Sequence, residues 1–353
     1  MRRHWLIALV VLPLVGLGWL TAERSNAAPA HVSRIVFSQG EKIWVLDGDG
    51  GNKRFLVRGE SPEISPDGRW VAYHPCNACA LFLINADGGR ARRLASRDFN
   101  PPTWSPDSRH LATSSPAAGP SYDEQLTTID RVTGKQHRIV VAPQVLGLSF
   151  SPDSARLTFD LSSSDELRSD VYVSAWDGGA LRRLTWDDRS SRPLWAPDGS
   201  IDFSHREGPL GERSNMSPEW GKHRIWRISP DGPGRRVLTA RLRPAITDER
   251  LGLIPAVWSR DGKTLLAVSP THEGDLLYLV DRAGSIRSLG NDGDVGGSRS
   301  ASVIGLSTDG RFILVALLDN GHLSSTGRLE VLPVDGGPAQ VIADNVTGAS
   351  WSR

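Results

Sequence analysis

One short phrase, a turn followed by a strand, recurs along this chain and constrains its fold more than any other feature. It occurs six times, as SPDGRWVAY from Ser65, SPDSRHLAT from Ser105, SPDSARLTF from Ser151, APDGSIDFS from Ala196, SRDGKTLLA from Ser259 and STDGRFILV from Ser307. Pro suits the second position of a tight turn, Asp the third and Gly the fourth. The residue before each copy is large and apolar, as Trp104 and Trp258 illustrate. The phrase therefore predicts a strand, a tight turn and a second strand in each copy.

A second phrase alternates with the first and consists of a strand, a Gly-bearing turn and another strand. Its seven copies begin at Ile43, Leu81, Leu126, Val171, Ile225, Leu276 and Leu329, and the copy from Leu81 reads LFLINADGGRARRL. One copy of each phrase supplies four antiparallel strands. Most copies follow one another at roughly 40–50 residues, which is the length of a four-stranded propeller blade.

The two ends of the chain account for the missing seventh copy of the first phrase. Residues 34–37 read as a second strand without a first strand before it, and Ser350-Trp351-Ser352 reads as a first strand without a second. We therefore predict an all-β fold for residues 31–353, namely a seven-bladed β-propeller of four-stranded antiparallel blades. Its C-terminal strand is expected to pair into the N-terminal blade, which removes exposed strand edges. Six blades is the alternative.

Residues 1–30 have a different character and are predicted to be a signal peptide or an N-terminal anchor. Arg2 and Arg3 precede an apolar run from Leu6 to Leu20, and small residues follow at Ala27 to Ala30. This order is typical of export signals. We expect an exported chain that is periplasmic, associated with the cell envelope or secreted, and that contacts a membrane only if this segment is retained.

The repeated Ser-Pro-Asp-Gly turn, followed by the strand–Asp-Gly-Gly–strand unit, resembles the WD-repeat-like blades of TolB-type propellers. The resemblance covers roughly residues 34–353 and implies the propeller fold. TolB-type proteins carry an α/β domain before the propeller, whereas here the repeats begin directly after the N-terminal segment. Similar blades also accompany the α/β-hydrolase domain of prolyl oligopeptidase-type and dipeptidyl peptidase-type enzymes. That domain uses a Gly-x-Ser-x-Gly elbow, and no such pentapeptide occurs in this sequence.

The predicted loops are long on one face only, where strand b meets strand c and where one blade leads to the next. The longest are residues 205–222 and 240–253. Long loops on a rigid scaffold commonly carry binding sites. The candidate partner-binding residues on this face are Trp186, Arg192, Glu219, Trp220, Arg243, Asp248 and Arg250. The alternative is that these loops only pack against one another.

The predicted channel mouth has few side chains that could act as acids, bases or metal ligands, because Glu63 and Arg192 are its only charged residues. Two such charges form neither a carboxylate pair nor a metal cage. His74 and His205 occupy equivalent positions in two blades but are expected to lie far apart. We therefore expect no catalytic residues, no metal and no cofactor.

The pair Cys76 and Cys79 lies in a predicted loop, not at the start of a helix where a reactive thiol is usually found. In an exported chain this pair is expected to form a short disulfide. Free thiols, or a redox or metal role, are the alternatives.

The formal net charge of +1 gives no electrostatic reason to expect nucleic acid as a partner. These observations together predict a non-catalytic propeller that acts as a binding scaffold of the cell envelope. Its partner would be another envelope or extracellular protein, a peptide or a glycan. The alternatives are a propeller enzyme of hydrolase or lyase type with a loop-built active site, and an accessory or sensor subunit of an envelope complex.

Overall fold

A computed structural model describes residues 33–75, 80–96, 100–119, 122–163, 168–207, 223–231, 234–239, 252–271, 274–289, 299–307, 310–319 and 327–352. Every regular element in these ranges is a β-strand. The strands are β1 (Arg34–Gln39), β2 (Lys42–Asp47), β3 (Arg54–Arg58), β4 (Glu60–Ile64), β5 (Trp70–His74), β6 (Leu81–Asn85), β7 (Arg92–Ala95), β8 (Thr103–Trp104), β9 (His110–Pro116), β10 (Glu124–Asp130), β11 (Gln136–Ala142), β12 (Gln144–Phe150), β13 (Arg156–Ser162), β14 (Ser169–Ala175), β15 (Arg182–Arg183), β16 (Ser190–Trp195), β17 (Ile201–Arg206), β18 (His223–Ile228), β19 (Arg236–Val237), β20 (Ile254–Trp258), β21 (Thr264–Thr271), β22 (Gly274–Asp281), β23 (Ile286–Ser288), β24 (Arg299–Leu306), β25 (Phe312–Asp319), β26 (Gly327–Pro333) and β27 (Gln340–Trp351).

The repeated turn is held by the side chains of its own Ser and Asp. In the first copy the Ser65 hydroxyl donates to Asp67 Oδ1 at 2.5 Å and accepts the backbone N–H of Trp70 at 2.9 Å. Asp67 Oδ1 also accepts the backbone N–H of Arg69 at 3.1 Å. The copies at Ser105 and Ser259 repeat these three bonds. The recurring sequence therefore encodes one closed hydrogen-bond pattern, which fixes where each first strand ends and each second strand begins.

Two copies of the turn carry Ser in place of Gly, and this Ser links neighbouring sheets. Ser108 and Ser154 have φ values of 61° and 62°, which lie in the left-handed region that favours glycine. The Ser108 hydroxyl accepts the backbone N–H of Asp67 at 3.0 Å, and the Ser154 hydroxyl accepts that of Asp107 at 3.0 Å. Each hydroxyl thus gains a bond to the preceding turn that glycine could not make.

Five of the sheets have four antiparallel strands in sequence order. They are β4–β7, β8–β11, β12–β15, β16–β19 and β20–β23. The hydrophobic core lies between adjacent sheets. Val36 and Val45 of one sheet, for example, pack with Val71 and Ile84 of the next. The predicted propeller architecture of four-stranded antiparallel sheets is therefore confirmed.

The sixth sheet has seven strands because β27 pairs both with β26, the last of strands β24–β26, and with β1, the first of strands β1–β3. The first part of β27 pairs with β26, where Val341 lies opposite Glu330. The second part pairs with β1, where Ile35 lies opposite Trp351 and Phe37 opposite Ala349. The strand order is β24-β25-β26-β27-β1-β2-β3. The C-terminal strand therefore adds to the N-terminal strands of the described chain, as the repeat pattern predicts.

Candidate functional site

A cavity of about 580 Å³ lies where the first strands of all the sheets meet. Residues of β4, β8, β12, β16, β20, β24 and β27 line it, together with parts of the repeated turns. In every copy the residue before the repeated turn lines this cavity. These residues are Ile64, Trp104, Phe150, Trp195, Trp258, Leu306 and Trp351. The position that the sequence repeats as large and apolar is therefore the inner wall of a central channel.

Three of the four indoles at this wall are fixed by hydrogen bonds to neighbouring segments. Trp104 Nε1 donates to the backbone oxygen of Glu63 at 3.1 Å, and Trp351 Nε1 donates to Ser33 Oγ at 2.7 Å. Trp258 Nε1 donates to Asp202 Oδ2 at 2.9 Å, and Asp202 also receives two bonds from Arg227. The four indoles are no more than 8% exposed. The wall is therefore aromatic and preorganised, with its indole N–H groups mostly satisfied inside the protein.

The first strand of most sheets is irregular at the same place, a few residues before the turn. Its pairing register shifts in β4, β12, β16, β20 and β24. Ser61, Gly147 and Arg192 share this position and have φ values of 48°, 59° and 52°. Bulges of this kind redirect side chains and release backbone N–H groups from the ladder. The channel is consequently lined by first strands whose backbone is irregular, and the regular antiparallel strands behind them hold these first strands in place.

A second cavity, of about 280 Å³, adjoins the first along β4, β24 and β27. Both cavities are lined by Glu63, Pro101, Ile304 and Ser350. Because the same four residues line both spaces, the two cavities are direct neighbours along the inner strands.

Only two charged residues line the described cavities, and they differ in part from the predicted pair. Glu63 faces both cavities, as expected from its place before the first turn. Arg192 lines neither of them, whereas Arg260 lines the larger one. Arg260 lies in the turn after a first strand, not at the start of that strand where the channel-mouth residues were expected. The available signal was the turn itself, which reads Ser-Arg-Asp-Gly where four of the six copies carry Pro before the Asp.

A buried carboxyl group, also missed at the sequence level, lies directly behind the inner strands. Asp160 Oδ1 accepts the backbone N–H of Arg192 at 3.0 Å, and Oδ2 is buried without a hydrogen-bond partner. A Cβ at Gly147 would lie 2.6 Å from Asp160 Oδ1, so this position must be glycine. Burial raises the pKa of Asp160 to about 6, although the nearby Arg192 charge and its N–H bond oppose the rise. Asp160 therefore titrates close to neutral pH.

Ser190, His205 and Asp187 lie together but do not form a nucleophilic relay. The Ser190 hydroxyl lies 3.2 Å from His205 Nδ1, and Asp187 Oδ2 lies 3.7 Å from the same nitrogen. A relay needs the hydroxyl and the carboxylate on opposite ring nitrogens. Ser190 is also fully buried. Burial lowers the pKa of His205 despite the neighbouring Asp187, which favours the neutral imidazole.

The other predicted site residues are not brought together by the described structure. Trp186 is 70% exposed in the connection between β15 and β16, and Arg192 is half-buried in β16. Glu219, Trp220, Arg243, Asp248, Arg250, Cys76 and Cys79 lie outside the described residues. In the ranges that are described, no three His, Cys, Asp or Glu side chains are grouped so that they could hold a metal ion. The same ranges contain no helix of sufficient length and hydrophobicity to span a bilayer.

Comparison with known proteins gives a family match and one curated relative. The family model described as the TolB beta propeller domain matches residues 28–295. The relative is the "Uncharacterized peptidase YuxL" of Bacillus subtilis strain 168, which is 30% identical over 187 residues. The match covers 50% of this chain and 26% of the relative. The chain thus spans about a quarter of the length of that protein.

Solved structures with the same fold include TolB, peptidases and a lyase. TolB from Acinetobacter baumannii aligns with a TM-score of 0.54 at 18% identity, over 91% of this chain and 66% of that chain. Acylaminoacyl peptidase of Pyrococcus horikoshii aligns with a TM-score of 0.58 at 12% identity, over 86% and 48%. Oligogalacturonate lyase of Vibrio parahaemolyticus aligns with a TM-score of 0.56 at 17% identity, over 80% and 76%. At these identities the likeness shows the fold alone.

These comparisons overturn two predictions, the non-catalytic envelope scaffold and the absence of enzyme function. The curated relative is named a peptidase, and the structural neighbours include peptidases and a lyase. Both predictions were wrong for a physical reason. The scarcity of acids and bases at the channel mouth tests only whether the channel itself cleaves bonds. It does not test whether the propeller holds the substrate of an enzyme, which needs apolar walls rather than titratable groups.

Proposed function

We propose, on the premise that this chain belongs to the TolB beta propeller domain family, that it is the substrate-binding part of a peptidase-type enzyme. The central channel holds a short extended peptide with mainly apolar side chains. The observation that carries this proposal is the 580 Å³ cavity and its lining of Trp, Phe, Leu, Ile and Pro side chains. The match to a protein named as a peptidase also supports a peptidase-related function.

The lining suits a peptide in both size and chemistry. Ligand sites usually have volumes of about 300–1,000 Å³ and combine apolar walls with a few well-placed polar groups. Here the polar groups include the hydroxyls of Thr103, Ser149 and Ser350. Ser149 and Ser350 already accept the backbone N–H groups of Trp195 and Ile64, so the bond that they offer a peptide is one donated to a carbonyl oxygen, while apolar side chains contact the aromatic wall.

An acidic sugar polymer, the kind of substrate named for the lyase neighbours, fits the lining less well. Several carboxylates in a row need several cations, because each unpaired charge is costly to take out of water. Arg260 is the single cation among the residues that line the described cavities. The geometry therefore favours a peptide over a polyanion.

The described residues bind and orient the peptide, and the bond-cleaving group lies outside them. No hydroxyl, imidazole and carboxylate among the described residues are arranged as a relay, as the Ser190–His205 geometry illustrates.

Two finer statements, on the number of blades and on export, belong to the same proposal. The seven inner strands and the double pairing of β27 support seven blades, and the N-terminal sequence of residues 1–30 supports export.

Placing an arginine inside the channel is the direct test. Ala256 is half-buried in β20 and lines the cavity, whereas Ala283 lies exposed on an outer turn of the same sheet. We expect Ala256→Arg to weaken binding of a labelled apolar hexapeptide, measured by fluorescence anisotropy, by at least about tenfold, since it puts an unpaired charge into an apolar wall. Ala283→Arg makes the same change outside the channel and should leave the affinity unchanged.

Two results would contradict the proposal. One is the absence of peptide binding by the unmodified chain, and the other is equal binding by both variants. Thermal unfolding of the two variants controls for loss of fold. Addition of unlabelled oligogalacturonate should not displace the peptide.

A further inference from the structure

The rim of the channel at the repeated turns is formed mainly by proline. Pro66, Pro106, Pro152 and Pro197 hold the second turn position in four copies, and all of them line the larger cavity. In the copy that begins at Ser259 the same position is Arg260, which lines the same cavity. At a turn position that is proline in four copies, this copy therefore carries a long cationic side chain with five N–H donors.

The charge of Arg260 is not neutralised within its own turn. The nearest carboxylate in sequence, Asp261, accepts the backbone N–H of Lys263 at 3.0 Å and the Ser259 hydroxyl at 2.8 Å. Lys263 Nζ lies 3.1 Å from the other oxygen of Asp261. These contacts hold the pKa of Asp261 down at about 2, so it is a carboxylate already occupied by its own turn.

Arg260 itself is exposed and forms no hydrogen bond or ion pair with the residues that the structure describes. A second cation, Arg282, packs at the same turn through a bond from its Nε to the backbone oxygen of Gly262. Two guanidinium groups therefore lie at this turn, and that of Arg260 is available to a ligand that enters the channel.

We propose that Arg260 anchors a carboxylate of the bound peptide at the rim of the channel, an inference that rests on the proposed peptide-binding function. Guanidinium and carboxylate match each other as a planar, two-bond pair. This pair sets the direction of the peptide, with its carboxylate end at Arg260 and its apolar residues against the indole wall.

The test compares one apolar hexapeptide with a free C-terminal acid and the same peptide with a C-terminal amide. We expect the unmodified full chain to bind the acid about tenfold more tightly than the amide, since hydrogen bonds to charged groups contribute about 1.5–3 kcal/mol and exposure reduces this. Arg260→Gln should abolish the preference and leave the affinity for the amide unchanged. Arg260→Pro should behave in the same way, and it introduces the residue that four of the other five turns carry, so the turn is expected to form.

The matched control is Arg69→Gln, which removes an exposed arginine beside the Ser65 turn that does not line the cavity. It should keep the tenfold preference. Equal binding of acid and amide by the unmodified chain overturns the inference, and so does a preference that persists in both Arg260 variants. In these two cases the peptide still binds, and the proposed function stands. If neither peptide binds the unmodified chain, the proposed function fails together with the inference.

A third peptide distinguishes the source of the carboxylate. It carries the C-terminal amide but has aspartate as its last residue. If it binds as tightly as the free acid, Arg260 accepts any carboxylate at that end of the peptide. If it binds like the simple amide, Arg260 recognises the α-carboxylate.

Discussion

Replacing Trp351 by alanine is expected to lower the free energy of unfolding by about 3–5 kcal/mol, the range for removing a large aromatic side chain from a core. Trp351 is 7% exposed and packs with Ile35, Phe37 and Leu314. Its backbone pairs with Ile35 of β1, and its indole donates to Ser33 Oγ. The substitution therefore removes core volume and a hydrogen bond at the place where the last strand joins the first.

The chain offers a matched control in Trp186, which is 70% exposed. Trp186→Ala should change the unfolding free energy by no more than about 0.5 kcal/mol, as surface substitutions usually do. Urea unfolding followed by circular dichroism measures both variants. Similar small losses for the two would contradict the closure of the sheet by β27, because a tryptophan outside the closed structure has little packing to lose.

Asp160 is expected to make the chain less stable as the pH rises from about 4 to about 7. Its pKa is raised to about 6 in the folded protein, mainly by burial, against an ordinary value of 3.8. Between these two values the folded protein binds a proton that the unfolded chain does not bind. The stabilisation from this group is therefore complete below about pH 4 and is lost as the pH passes through 6. The gap in pKa corresponds to about 3 kcal/mol.

The substitution Asp160→Asn keeps the oxygen that accepts the Arg192 N–H and removes the charge. We expect this variant to show about 3 kcal/mol less pH dependence of the unfolding free energy between pH 4 and 7 than the unmodified chain. Asp335→Asn, at an exposed turn, should leave the profile unchanged. Parallel profiles for the unmodified chain and the Asp160 variant would show that this carboxyl group titrates normally and is not buried between the inner strands.

Much of the fold was predictable because each repeat is a local structure. The turn at Ser65 closes through side chains no more than five residues apart, so six copies of its sequence suffice to locate six strand pairs. The pairing of β27 with β1 was also predictable, because the two ends of the chain carry complementary halves of one repeat.

The features of the candidate site were harder to predict because they depend on contacts between repeats. The pKa of Asp160 is raised by burial, and its hydrogen-bond partner Arg192 lies 32 residues away in the next sheet, so no local pattern marks it. Arg192 was expected at the channel mouth from its place in the repeat. The register shift in β16 and the left-handed backbone at this residue alter the strand there, and Arg192 lines neither described cavity. Arg260, in contrast, was visible in the sequence as a departure from the proline of the repeat.

The function was predicted least well, since the same fold occurs in TolB, in peptidases and in a lyase. The strand pattern specifies the scaffold. What the scaffold holds depends on a small number of residues that line the channel, such as Arg260 and Glu63, and on which of them differ from the repeat.

Photo-crosslinking of a bound peptide tests the central claim most directly. An apolar hexapeptide that carries one benzoylphenylalanine is irradiated with the purified chain, and the labelled residues are identified by mass spectrometry. We predict labels on residues that line the channel, among them Thr103, Leu148, Leu194 and Ala256, and their loss when unlabelled peptide is in excess. Labels confined to exposed apolar residues of the outer surface, such as Phe55, Leu181 and Val341, would contradict the claim that the channel is the peptide-binding site.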